Sequence, residues 1–259
     1  MVKRACTSMP ASVLIAAWLV PFGSTLAADR SPPDISGVWA VFQAITTSGK
    51  PAMADPPMSP RGLATVNAFR NSYDLEGMAP NEHCVEPGMP TDMYGIGNQP
   101  IEIIQQPQRI TILTEVGMQW RRIFLDGREH PQDFPTMRNG HSIGRWEGDT
   151  LVVDTTLIKE WLMPRWAHTD NAHIVERFSL KKTGDIKLGT RGNYNRGNLG
   201  DYVLLDELTM YDPALYDTPG SVTVYYRRLT DDEFFENNCA EGLWWDLMDK
   251  RRKSPAESP

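Results

Sequence analysis

The sequence predicts an all-β chain folded as a single antiparallel meander barrel, with a long covering loop near its N-terminus. Three observations lead there. Short runs rich in β-branched and aromatic residues recur from Gly37 to Arg228, divided by Gly, Asn, Asp and Pro. No strand–helix–strand alternation and no internal repeat interrupts them, which favours an antiparallel barrel or sandwich. The composition, 41% hydrophobic over 259 residues, supplies a real core and excludes wholesale disorder.

The first segment stands apart from the fold. Lys3 and Arg4 precede an apolar run from Val13 to Phe22, followed by the small residues around Ala27. A basic start, a short apolar stretch and a small-residue cleavage point make a secretory signal over residues 1–27, too short to span a membrane comfortably. The expectation is a periplasmic or secreted protein with no stable membrane insertion. Removal of Lys3 and Arg4 takes the 26 basic residues to 24 against 33 acidic, a net charge of −9. Such a surface argues against nucleic acid as a partner. Of three cysteines, Cys84 and Cys239 remain, and in an exported chain a disulfide between them is the default. It would close a loop worth about 5 kcal/mol at most in chain entropy.

Residues 28–248 then read as one barrel domain. Ser36–Phe42 opens it as the first strand. Residues 46–100 are rich in Pro, Met and Gly and form the covering loop, a length that usually signals function. Within it Ser59-Pro60 provides an N-cap and first helical residue for a short helix to about Asn71. Strands follow at Ile101–Gln105, Arg109–Glu115, Gln119–Leu125, His141–Glu147, Thr150–Leu157, His173–Leu180, Ile186–Thr190, Tyr202–Met210 and Ser221–Arg228. Gly148-Asp149 makes the tightest hairpin. The charged, proline-containing end, residues 249–259, is expected to fray.

Two resemblances refine this. Gly37-x-Trp39 after an extended lead resembles the first-strand signature of lipocalins and related calycins, in which the Trp closes one end of the barrel beneath a ligand cavity. A meander of about eight strands leaves room for one small ligand. The run His141-Ser-Ile-Gly-Arg-Trp-Glu-Gly-Asp-Thr-Leu-Val-Val-Asp-Thr155 is similar to the hallmark of an uncharacterised family of exported bacterial β-rich proteins. Arg121–Arg128, His168–Arg177, Cys84 and Cys239 extend that similarity. It implies export and a β-rich barrel, and carries no activity with it. Arg138-Asn139 and the stretch Asn193–Gly200 depart from the pattern.

The hairpin carries the candidate chemistry. With a two-residue loop, Glu147 pairs with Thr150, Ile143 with Asp154 and His141 with Thr156. Alternation then places His141, Arg145, Glu147 and Asp154 on one face and Trp146, Leu151 and Val153 on the other. A carboxylate beside an imidazole can fix its tautomer and raise its basicity, which is what a general base requires. His141 is therefore the candidate base, Asp154 its orienter, and Arg145 or Arg121 an anion stabiliser. The alternative is a hairpin face that simply meets water. Trp120, Arg121 and Trp146 are candidate ligand contacts. His168, Asp170 and His173 make a second set at a cavity mouth and wall, and a weak metal set, because His173 and Glu176 fall on opposite faces of a strand.

No serine-hydrolase elbow and no nucleotide-binding glycine pattern occurs, so no cofactor is expected. The tryptophans and Met53, Met58, Met78, Met89 and Met93 suit an apolar or aromatic small molecule as partner. Two functions fit: a cofactor-independent acid–base lyase or isomerase acting on such a compound, or a periplasmic barrel that binds it unchanged.

Overall fold

The computed structural model describes residues 31–46, 49, 55–72, 83–94, 100–163, 165–186, 199–229, 234–236 and 239–253. The export signal, Met53, Met78 and residues 187–190 of the strand expected after Ile186 lie outside them. Contacts divide the chain into Met1–Ser31 and Pro32–Pro259, and every element described belongs to the second.

Among the described residues, nine strands close into a barrel in chain order. They are β1 Gly37–Thr46, β2 Ile101–Gln106, β3 Arg109–Thr114, β4 Gln119–Phe124, β5 His141–Glu147, β6 Thr150–Thr156, β7 His173–Lys182, β8 Tyr202–Tyr211 and β9 Gly220–Leu229. β9 returns to pair antiparallel with β1. The expected up-and-down meander needs one correction. In a closed ring of antiparallel neighbours the direction alternates, so the number of strands must be even. Nine strands force one parallel pair. It is β4–β5, matched only at Ile123↔Ser142 and Phe124↔Ile143. The connection 125–140, with Pro131 and Pro135, is too long for a hairpin and returns across the outer face, so β5 starts from the same end as β4.

The inward residues, among them Ile103, Ile112, Val153, Ile174, Phe178 and Leu208, are all fully or nearly fully buried. Trp39 lies at one end, its Nε1 donating to Ile35 O at 2.9 Å and its ring covered by the Arg228 guanidinium at 5.4 Å. Arg228 crosses there to donate to Ser36 O. Gly37 makes room for it, since a Cβ at this φ of +128° would stand 2.8 Å from Arg228 Nη2.

Described parts of the covering segment pack against the barrel. Helix α1 (Pro60–Asn71) begins as the sequence indicates, with Ser59 Oγ accepting from Gly62 N at 3.0 Å. Ser59 N also donates to Leu215 O at 2.9 Å. The short helix α2 (Thr91–Tyr94) buries Met93 and Tyr94, and Tyr226 on the inner wall donates its hydroxyl to Met93 O. Interior volume that the sequence assigned to a ligand is thus filled by these side chains. A smaller apolar cluster of Phe42, Val203 and Leu205 lies outside the wall under Ile186 and Leu199.

Helix α3 (Cys239–Lys253) is largely exposed and is tied back by the Cys84–Cys239 disulfide, with Cα atoms 5.5 Å apart. Residues 249–253, read from sequence as a fraying tail, are its last turns.

Candidate functional site

The weak seam between β4 and β5 is where a cavity opens. Before Ile123, over residues 119–122, the edge of β4 has no strand ladder to β5, and a cavity of about 610 Å³ lies along it. Its wall includes Trp120, Phe124, Phe134, Met137 and His141, with Arg122, Arg128 and Arg138 among them and Glu129 as the only acidic residue of the lining described. The guanidinium of Arg122 lies 4.8 Å from the Trp120 ring centroid and that of Arg128 lies 3.8 Å from Phe124. Arg128 is neutralised by Asp126 at 2.5 Å. Arg122 has no acidic partner within ion-pair distance among the described residues, and Arg138 Nη1 is buried without a hydrogen-bond partner. Trp120 is 54% exposed. The result is an aromatic cleft with excess positive charge.

Behind one wall runs a line of hydrogen bonds on the outer face of the barrel. The hairpin register is as the sequence predicts, with His141↔Thr156 and Ile143↔Asp154. It places Ser142, Val153 and Thr155 inward, all fully buried, and His141 and Asp154 outward. Asp154 does not reach His141 directly. His130, from the connection 125–140, sits between them: its Nε2 is 2.9 Å from Asp154 Oδ1 and its Nδ1 is 2.9 Å from His141 Nδ1. His173 on β7 reaches the other carboxylate oxygen, Nε2 to Oδ2, at 2.8 Å. Phe124 stacks on His141 at 5.3 Å and Tyr211 on His173 at 5.6 Å.

The charges in this line follow from the contacts. The bonds from His173 and then His130 hold the Asp154 carboxyl below its ordinary value, so it is anionic. The Asp154 bond raises His173. Burial, then His130 and Arg128, lower His141, so it is neutral.

Several sequence-predicted residues fall elsewhere. Arg145 is not part of the line: it bonds Glu147 at 2.6 Å on an exposed stretch of β5. It sits near the free end of the hairpin, away from the 125–140 connection. Arg121 does border the cavity, but its guanidinium is buried on the inner wall, donating to Ser142 Oγ at 2.9 Å, Thr155 Oγ1 at 2.8 Å and both carboxylate oxygens of Glu176. Trp146 is half-buried against the core. His168 is buried between backbone carbonyls, Nδ1 to Trp166 O at 2.8 Å and Nε2 to Lys159 O at 3.2 Å, and braces a loop. Asp170 is exposed in a turn and does not join it. Among the described residues no group of three or more His, Cys, Asp or Glu is placed to hold a metal ion.

Sequence reasoning missed His130, Phe134, Arg138 and Asp92. The first three lie in the connection 125–140, which has no periodicity to read. Asp92 on α2 has its Oδ2 buried without a partner and its pKa raised to about 7, by burial first and Glu86 second.

No family model matches the chain, and no curated protein matches it. Among solved structures it is similar to a point mutant of the fluorescent protein UnaG, with a TM-score of 0.33 and 16% identity over 76% of this chain and 97% of that one. Human cRBP IV gives 0.32 and 13% over 76% and 100%. A secretory abundant heat soluble protein from Ramazzottius varieornatus gives 0.31 and 10% over 75% and 95%. The barrel assignment rests on the strand order itself.

Proposed function

We propose that this chain is an exported barrel that binds a small aromatic molecule carrying an anionic group, in the cavity at the β4–β5 seam. The observation that carries the reading is the lining: aromatic rings on several sides, with Arg122 and Arg138 as cations lacking ion-pair partners among the described residues. Its volume, about 610 Å³, is that of a small-ligand pocket. Rings supply apolar area, and guanidinium groups pair with carboxylate or sulfonate in a planar, bidentate fashion.

The test is a titration with 1-naphthoate, followed by tryptophan fluorescence, beside neutral 1-naphthamide. Saturable binding of naphthoate, at least about tenfold tighter than naphthamide and weakened by Arg138→Ala and Phe134→Ala, is expected. Equal affinity for the two probes, or indifference to both substitutions, rejects the site. Export belongs to the same proposal, and N-terminal sequencing of secreted protein should begin at Ala28.

Turnover of the bound molecule by acid–base groups, without a cofactor, is the second reading. The hydrogen-bonded line from Asp154 to His141 favours it.

A further inference from the structure

We infer that His141 Nε2 is a general base at the cavity wall, set by His130 and Asp154 to take a proton from carbon in an enolisable aromatic oxo acid. The inference rests on the cavity being the anionic aromatic site proposed above.

The polarity of the line follows from one fixed end. An ionised Asp154 only accepts, so His130 donates from Nε2. In its neutral form His130 carries a single N–H, the one given to Asp154, and in that form its Nδ1 is an acceptor. The other nitrogen at 2.9 Å, His141 Nδ1, must donate to it. His141 is thereby held as the tautomer whose Nε2 bears the lone pair. That nitrogen has no protein partner among the described residues and is not one of the buried orphan atoms, so the 8% exposure His141 retains reaches it. When Nε2 takes a proton, no other bond in the line needs to change. His141 still donates to His130, and His130 still donates to Asp154. The rings of Phe124 and Phe134 flank the imidazole, at 5.3 and 6.4 Å between centroids, and fix its plane.

The substrate class follows from the rest of the wall. Arg122 and Arg138 suit a carboxylate and the oxygen on which charge develops. In the step, the C–H bond beside the carbonyl breaks and its proton goes to His141 Nε2. The C–H electron pair becomes the new C=C, and the carbonyl π pair moves to oxygen. The imidazolium then returns the proton to that oxygen, giving the enol, and the imidazole is regenerated. Nothing is oxidised or reduced.

Phenylpyruvate is the probe, since it has a ring, a carboxylate and an enolisable CH2. Its binding is followed by tryptophan fluorescence, and exchange of its CH2 protons in D2O by proton NMR. The expected result is saturable exchange at least about 100-fold above buffer. His141→Gln should abolish the acceleration while phenylpyruvate still binds. His130→Phe and Asp154→Asn test the positioning roles through the pH profile. The rate rises with pH as His141 loses its proton, against a surround of His130, Asp154 and His173 with Arg128 beside the ring. Loss of the Asp154 charge should move that rise to lower pH. Phenylpyruvate bound but exchanging no faster than in buffer overturns the base while leaving the cavity standing. Exchange that persists in His141→Gln places the base elsewhere and also overturns it. No binding at all fails the cavity, and the inference with it.

Discussion

Arg121 on β4 and Glu176 on β7 hold a two-pronged ion pair on the inner wall of the barrel, spanning the two strands between them. Along the way the same guanidinium bonds Ser142 on β5 and Thr155 on β6. The pair therefore crosses the seam where backbone pairing is poorest, with only two matched positions. Asp206 lies near it on β8, fully buried with both carboxylate oxygens unpartnered, and burial followed by Glu176 raises it far above the carboxylate range. A neutral Asp206 leaves one cation matched to one anion.

Arg121→Met should lower stability by about 3–5 kcal/mol, because it strands the Glu176 charge inside the barrel. Arg121→Met with Glu176→Leu should recover much of that loss. Urea unfolding measures both. A single variant within about 1 kcal/mol of the parent would mean the pair does not hold the seam.

The Asp154–His173 contact confines its own contribution to a pH window. Asp154 is depressed below 3.8, so its share is present above that value and is lost as pH falls through the folded pKa. His173 is raised above 6.5, so its share is present below that value and is lost as pH rises through the folded pKa. Together they stabilise most between 3.8 and 6.5. The difference in urea midpoint between parent and Asp154→Asn should peak there and shrink on both sides. A difference that is flat from acid to alkaline pH counts against the contact.

Gly140 and Gly148 have the same φ of +61° but different surroundings. A Cβ at Gly148 meets nothing within 4 Å, whereas one at Gly140 would stand 2.6 Å from Thr156 O. Gly148→Ala should cost about 1–2 kcal/mol from backbone strain alone. Gly140→Ala should cost about 1–3 kcal/mol more and, since Gly140 leads into His141, weaken naphthoate binding. Equal melting temperatures for the two variants would contradict the packing.

The hairpin was legible because its period and its two-residue turn fix the register outright, and every expected pair across β5 and β6 is present. Gly37-x-Trp39 was legible only as a resemblance; that Arg228 crosses beside Gly37, where a Cβ would stand, is seen in the structure alone. What the hairpin pattern lacked was a sign. Period two separates two faces without saying which is inside, and the polar face of His141 and Asp154 is the outer one. His130 was hidden because it arrives from a loop, at an address set by the parallel pairing of β4 with β5. That pairing follows from parity once nine strands are counted. Ile186 and residues 187–190 had suggested a further strand, which conceals the odd number.

Asp92 supplies the last prediction. Its carboxyl, pushed from 3.8 to about 7 by burial and by Glu86, sits under the cavity wall beside Asn139, within the fields of Arg121 and Arg138. Between those two pH values the folded chain keeps a proton that the unfolded chain has released. Stability therefore falls as pH rises, by a total on the order of 4 kcal/mol. Asp92→Asn removes the titration, so its advantage over the parent should grow from about pH 4 to about 7 and then level off. The same ionisation places a negative charge behind Arg138, and naphthoate should bind the parent less tightly above about pH 7 than below it. In Asp92→Asn that decline should vanish. Parallel stability curves for parent and variant would show that Asp92 is ionised throughout, and the binding decline would then need another source.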